Sequence, residues 1–90
     1  MGNWMERLAD RADLQGEAMQ GQPLVEIFGE GRVLIEHHNG VTEYGREKIQ
    51  VKMRYGSLCI CGGGLELARM NAQQLIISGH IDSVSIIRRR

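Results

Sequence analysis

Ninety residues suffice for one domain and are too few for two of ordinary size. Lys plus Arg equals Asp plus Glu, so the net charge is zero, which leaves no global electrostatic signal for nucleic acid and favours self-association over repulsion. No apolar run reaches the eighteen or so residues of a membrane span, and no basic-then-apolar leader opens the chain.

Two cysteines do not make a disulfide framework, and Cys59 and Cys61 stand too far apart along one strand to bridge without distortion. These features predict a reducing, cytoplasmic setting. The aromatic residues are Trp4, Phe28, Tyr44 and Tyr55, so the core must be mostly aliphatic.

Residues 1–22 read as an arm. Asn3 and Glu6 fit a capping box, and Trp4 or Met5, Leu8 and Ala12 form a narrow apolar stripe at helical spacing. The spacing predicts a short helix over residues 3–15, ended by Gly16. So short a helix is marginal in water and must dock or fray, so the arm is expected to be a short helix or disordered. Gln15 to Gln22 reads as a linker.

Residues 23–90 read as a β-domain. Pro23 to Phe28 is the first strand, with proline where a missing N–H is tolerated. Gly29-Glu30-Gly31 turns the chain into a second strand, Arg32 to His37. Asn39-Gly40 is a hairpin-turn signal, and Val41 to Tyr44 is a short third strand. Gly45-Arg46-Glu47 leads into the best-determined stretch, Lys48 to Cys61.

In that stretch Ile49, Val51 and Met53 alternate with Lys48, Gln50, Lys52 and Arg54, the period of a half-buried strand. Leu58 and Ile60 alternate with Ser57, Cys59 and Cys61. A two-residue turn at Tyr55-Gly56 would set Met53 against Leu58 and Val51 against Ile60. Lys52 would then face Cys59, and Gln50 would face Cys61.

Gly62-Gly63-Gly64 predicts a sharp reversal or a bulge, and Leu65 to Met70 a further strand with Leu65 and Leu67 inward. Asn71-Ala72-Gln73 turns again. Gln74 to Ser78 carries Leu75, Ile76 and Ile77, which predicts a strand covered on both faces. It also lacks charge, so an alternative is an edge open to another chain. His80 to Ile87 is the last strand, with Ile81 out of phase with Val84 and Ile86, which predicts a bulge near Asp82-Ser83. The expected fold is mainly β: a small antiparallel β-sandwich or roll of about seven to eight short strands.

The chemistry-bearing residues do not assemble into a known catalytic set. His37 and His38 point to opposite faces of a strand, and Cys-x-Cys with a distant His-His or His80 is not a zinc spacing. No metal or other cofactor is expected. A thiol enzyme centred on Cys59 and Cys61 would need an activating base; Lys52 is the one neighbour that the expected register supplies. Gly62-Gly63-Gly64 lacks the Lys-Ser/Thr of a phosphate loop. Arg88 to Arg90 could touch phosphates, but without interleaved aromatics nucleic-acid binding is a weak alternative. The favoured surface for a protein partner is His37, His38 and Asn39 at the turn, with Lys48, Gln50, Lys52 and Cys59 on the polar sheet face.

The run Arg32-Val-Leu-Ile-Glu-His-His-Asn-Gly-Val-Thr-Glu-Tyr44, followed by Ile49, Val51 and Gly56-Ser-Leu-Cys-Ile60, resembles the YabP/YqfC family of sporulation proteins, and within it the YqfC type. Gly62, Leu65, Leu67, Leu75, Ile77, Gly79-His-Ile-Asp82 and Val84 continue the likeness, which covers about two-thirds of the chain and leaves out the arm. Cys61-Gly62-Gly63-Gly64 departs from the pattern, where a Lys or similar residue is expected among the glycines. The resemblance implies a small β-domain made in the mother cell during sporulation, with no enzymatic activity or cofactor. It implies a functional link to a membrane protein, YqfD. The expectation is therefore a non-enzymatic sporulation protein that acts through protein contacts and forms homo-oligomers. A small thiol or metal enzyme is the alternative.

Overall fold

A computed structural model of the chain describes residues 22–29 and 31–89. The expected helix over residues 3–15 lies outside them. The strands are β1 (Leu24–Phe28), β2 (Arg32–Glu36), β3 (Val41–Tyr44), β4 (Lys48–Met53), β5 (Gly56–Met70) and β6 (Gln74–Arg88). They form one antiparallel sheet in the order β1-β2-β6-β5-β4-β3.

Six strands replace the expected seven to eight because β5 and β6 each unite two predicted pieces. Ser57 to Cys61 and Leu65 to Met70 both belong to β5, and Gln74 to Ser78 and His80 to Ile87 both belong to β6. The glycine triplet is therefore no reversal. It is the bulge alternative: the β5–β6 register shifts between Cys61 and Gly62 and again between Gly63 and Glu66. The shift at Cys61/Gly62 carries the partner from Ser83 to Ile81, which leaves Asp82 as the extra residue where the phase break in the sequence predicts it.

The sheet curls at this bulge. Val33, Ile35, Leu75 and Ile77 lie at one end of the strand order and Ile49, Val51 and Met53 at the other, yet all share one core with Leu58, Ile60 and Leu65. None of them is more than 1% exposed. A flat sheet would leave that face open to water, so the two halves must close over it. One half consists of β1, β2 and the inner ends of β5 and β6 around their connecting turn. The other consists of β3, β4 and the outer ends of β5 and β6.

Close backbone approach at the curl explains the glycines. A Cβ on Gly62 would run into the His80 carbonyl, and one on Gly79, at φ +133°, would sit 2.6 Å from the Gly64 oxygen. The bulge also exposes N–H groups that the ladder cannot use. The β3–β4 connection accepts them: Gly62 donates to the Glu47 carbonyl at 3.0 Å and Leu65 to the Arg46 carbonyl at 2.8 Å.

Two further expectations change. The β4–β5 turn is Arg54-Tyr55, and the register pairs Val51 with Leu58 and Ile49 with Ile60, two residues from the expected pairing. A slip of two preserves which face each side chain occupies, so the inward set stands while the cross-strand partners change. Asn39-Gly40 makes no hairpin, because β2 pairs with β1 and β6 and not with β3. Residues 37–40 instead carry the chain from one half to the other, with positive φ at His37 and Gly40.

Gln74 to Ser78 is not an edge. It lies between β2 and β5, and Leu75, Ile76 and Ile77 are all buried, as a strand covered on both faces requires. From His80 onward, however, β6 pairs on one side only, with β5, among the described residues.

Candidate functional site

The polar face of the second half is built by alternation. Lys48, Gln50 and Lys52 must face out because Ile49, Val51 and Met53 face the core. Cross-strand pairing extends each position into a row: Lys48 beside Cys61 and Ser83, Gln50 beside Cys59 and Ser85, Lys52 beside Ser57 and Ile87. On the other side Glu43 pairs with Gln50, and its carboxylate lies 3.7 Å from the Lys48 ammonium. Gln50, not Lys52, is therefore the direct neighbour of Cys59, a consequence of the two-residue slip.

The cysteines are free thiols with their sulfurs 3.7 Å apart. Cys59 is buried and Cys61 is half-buried. Burial pushes the Cys59 thiol above its usual range, and the hydrogen bond and charge of Cys61 push the same way; Lys48 opposes them and is outweighed. A group held protonated at neutral pH is a poor nucleophile. Among the described residues, no three of His, Cys, Asp and Glu converge to hold a metal ion. His80 instead pairs with Asp82 at 3.0 Å.

The turn residues divide. His38 is buried, and its ring is a strut: Nδ1 accepts from the Gly40 N–H at 2.9 Å, and Nε2 lies 2.9 Å from the Asn71 carbonyl. With Nδ1 accepting, Nε2 carries the proton and donates. His38 thus ties the β2–β3 crossing to the β5–β6 turn and is not available to a partner. His37 is half-buried beside Asn71, Gln73 and Gln74, and its N–H donates to the Gln73 carbonyl. Asn39 is exposed and donates its N–H to the Lys52 carbonyl at 2.7 Å. The structure thus gathers Lys48, Gln50, Lys52 and Cys59 on one face, joins Asn39 to its margin, and sets His38 inside.

His38→Phe would strand the Gly40 donor and the Asn71 acceptor. It is expected to cost about 2–4 kcal/mol, read as a lower urea midpoint. Asn71 itself is a residue that sequence reasoning assigned only to a turn. Its Oδ1 accepts from the N–H groups of Gln73 and Gln74 at 2.8 and 2.7 Å, and an Asn at the first position of a short turn is the signal for such a cap.

The exposed Arg88 and Arg89 both contact the β4–β5 turn. The Arg88 guanidinium lies 5.1 Å from the centre of the Tyr55 ring. Arg89 donates from its side chain to the Arg54 carbonyl at 2.9 Å and from its backbone to the Tyr55 carbonyl at 2.7 Å. Arg90 lies outside the described residues. Among the described residues no helix is long and apolar enough to cross a membrane.

Comparison with known proteins gives one result. No curated protein and no solved structure matches the chain. A family model described as the YabP family matches residues 20–90, which takes in every strand of the sheet and both sets of candidate residues. On that match, this curled six-stranded chain belongs to the YabP family.

Proposed function

We propose that the chain is a sporulation protein of the YqfC type that acts without catalysis, by holding other proteins against its sheet. The observation that carries this reading is the family match over residues 20–90. The raised Cys59 pKa supports it over the thiol alternative. The partner surface is the polar face of Lys48, Gln50 and Lys52, which lies over the buried Cys59, with Asn39 at its margin and His37 beyond it. The setting is the cytoplasm of the mother cell, and the partners are a membrane protein, YqfD, and further copies of this chain.

Retrieval of partners tests the reading. Tagged wild-type chain, expressed in a sporulating bacterium lacking its own copy, is expected to bring down YqfD from detergent-solubilised membranes. Lys48→Glu with Lys52→Glu is expected to lose it while keeping the thermal unfolding profile. If neither chain retrieves a specific protein, contact-based function fails. Cys59→Ser with Cys61→Ser separates the classes: spore yield is expected to stay at the wild-type level, and loss of spores with folding intact would favour chemistry at sulfur.

A further inference from the structure

We infer that the outer end of β6 pairs with the same strand of a second copy, antiparallel, about a two-fold axis through Ser85. The inference rests on the contact-based reading above and names one of its partners and the strand that meets it. Four strand segments end the two halves of the sheet: β1, the inner end of β5, β3 and the outer end of β6. The first three are short and carry Glu26, Glu66 with Arg69, and Glu43, the charges that protect an edge from pairing.

The outer end of β6 has no such protection over Ser83-Val-Ser-Ile-Ile87, which contains no charge and no proline. Its backbone is paired on one side only among the described residues, and Ile86 and Ile87 are 53% and 52% exposed. Two adjacent exposed isoleucines on opposite faces of one strand make little sense for a free edge. They suit a strand with a neighbour on its open side.

The choice of a second copy over another protein comes from symmetry. A two-fold axis normal to the sheet sets some residue opposite itself and keeps like faces together. With Ser85 on the axis, Val84 meets Ile86 of the second copy and Ser83 meets Ile87. One step further out, Asp82 meets Arg88, once on each side of the axis. Apolar residues thus face apolar or small ones, and opposite charges face each other. Moving the axis to Val84 sets Ile86 against Asp82, and moving it to Ile86 sets Val84 against Arg88. The strand is self-complementary in one register alone of these three.

Sedimentation velocity over a concentration series tests the pairing. Wild-type chain is expected at twice the 10.1 kDa of one copy. Ser85→Lys places two ammonium groups across the axis on an exposed position, and is expected to give a folded monomer with the wild-type circular dichroism spectrum and a melting temperature that no longer depends on concentration. Asp82→Arg and Arg88→Asp each set like charges opposite each other and are expected to weaken the dimer by about a hundredfold. The double variant Asp82→Arg with Arg88→Asp restores opposite charges and is expected to restore the dimer.

A dimer indifferent to Ser85→Lys, or no rescue in the double variant, overturns the pairing. A monomeric wild type at millimolar concentration also overturns it. In each of these cases, retrieval of YqfD by the same preparation would show that contact-based function survives the loss of this interface.

Discussion

Val51→Asp is expected to abolish folding, whereas Gln50→Asp, one residue away, leaves a stable protein. Val51 is fully buried, with Val41 and Leu58 paired beside it and Ile49 and Met53 on the same face of β4. A carboxylate there meets no donor. It would take up a proton rather than stay charged, and even the neutral acid would lose its hydrogen bonds to water. The lost valine packing adds to this, for a total of about 4 kcal/mol or more. A domain of this size holds only about 5–15 kcal/mol in all, and small ones sit low in that range.

Gln50 projects from the opposite face and is half-exposed. Asp at that position meets Glu43 across the strand pair, a like-charge contact worth about 0.2–1 kcal/mol. Lys48 and Lys52 on the same face offset part of it. Urea unfolding followed by circular dichroism checks both variants, and equal midpoints would show that the faces of β4 are assigned wrongly.

Gly62→Ala is expected to be strongly destabilising, and Gly63→Ala, its neighbour, mildly stabilising. The added Cβ at Gly62 points into the His80 carbonyl across the β5–β6 pair, with the Asp82 nitrogen 3.2 Å away. Both are backbone atoms inside a ladder, so relief requires the strands to part at the curl. That costs about 3 kcal/mol on the scale of overpacked cores. At Gly63 nothing lies within 4 Å of a Cβ and φ is not positive. Alanine there restricts the unfolded chain and is expected to stabilise by about 0.4–1 kcal/mol. A thermal melt of the two variants resolves the difference, and equal melts would remove the steric account of the curl.

The inward residues were legible because alternation depends on neighbours in the chain. Ile49, Val51, Met53, Leu58 and Ile60 all lie in the core, and the extra residue near Asp82 showed itself as a break in phase. Register was less legible. Tyr55-Gly56 and Arg54-Tyr55 both turn the chain, and a slip of two leaves the face pattern unchanged, so alternation has no power to choose between them.

Strand continuity across Gly62 to Gly64 was illegible for a different reason. Three glycines break a strand in most settings, and their permanence here depends on how closely β6 passes, a tertiary fact. His38 shows the same limit from the other side. A histidine beside a turn signal reads as exposed, and only the Asn71 carbonyl, distant in sequence, makes it a strut. The polar face was legible as a set, but Cys59 within it was expected beside Lys52 and stands beside Gln50.

The curl has a mechanical consequence. Sandwiches whose sheets are joined by loops can slide or open, because loop residues absorb the change in backbone angle. Here β5 and β6 run unbroken through both halves, and the bend between them is clasped by Gly62 N–H on Glu47 and Gly79 N–H on Gly31. Besides the crossing at residues 37–40, the halves are joined by these two continuous strands. Load applied at the outer end of β6 would pass along a continuous backbone to β2 at the far side of the core.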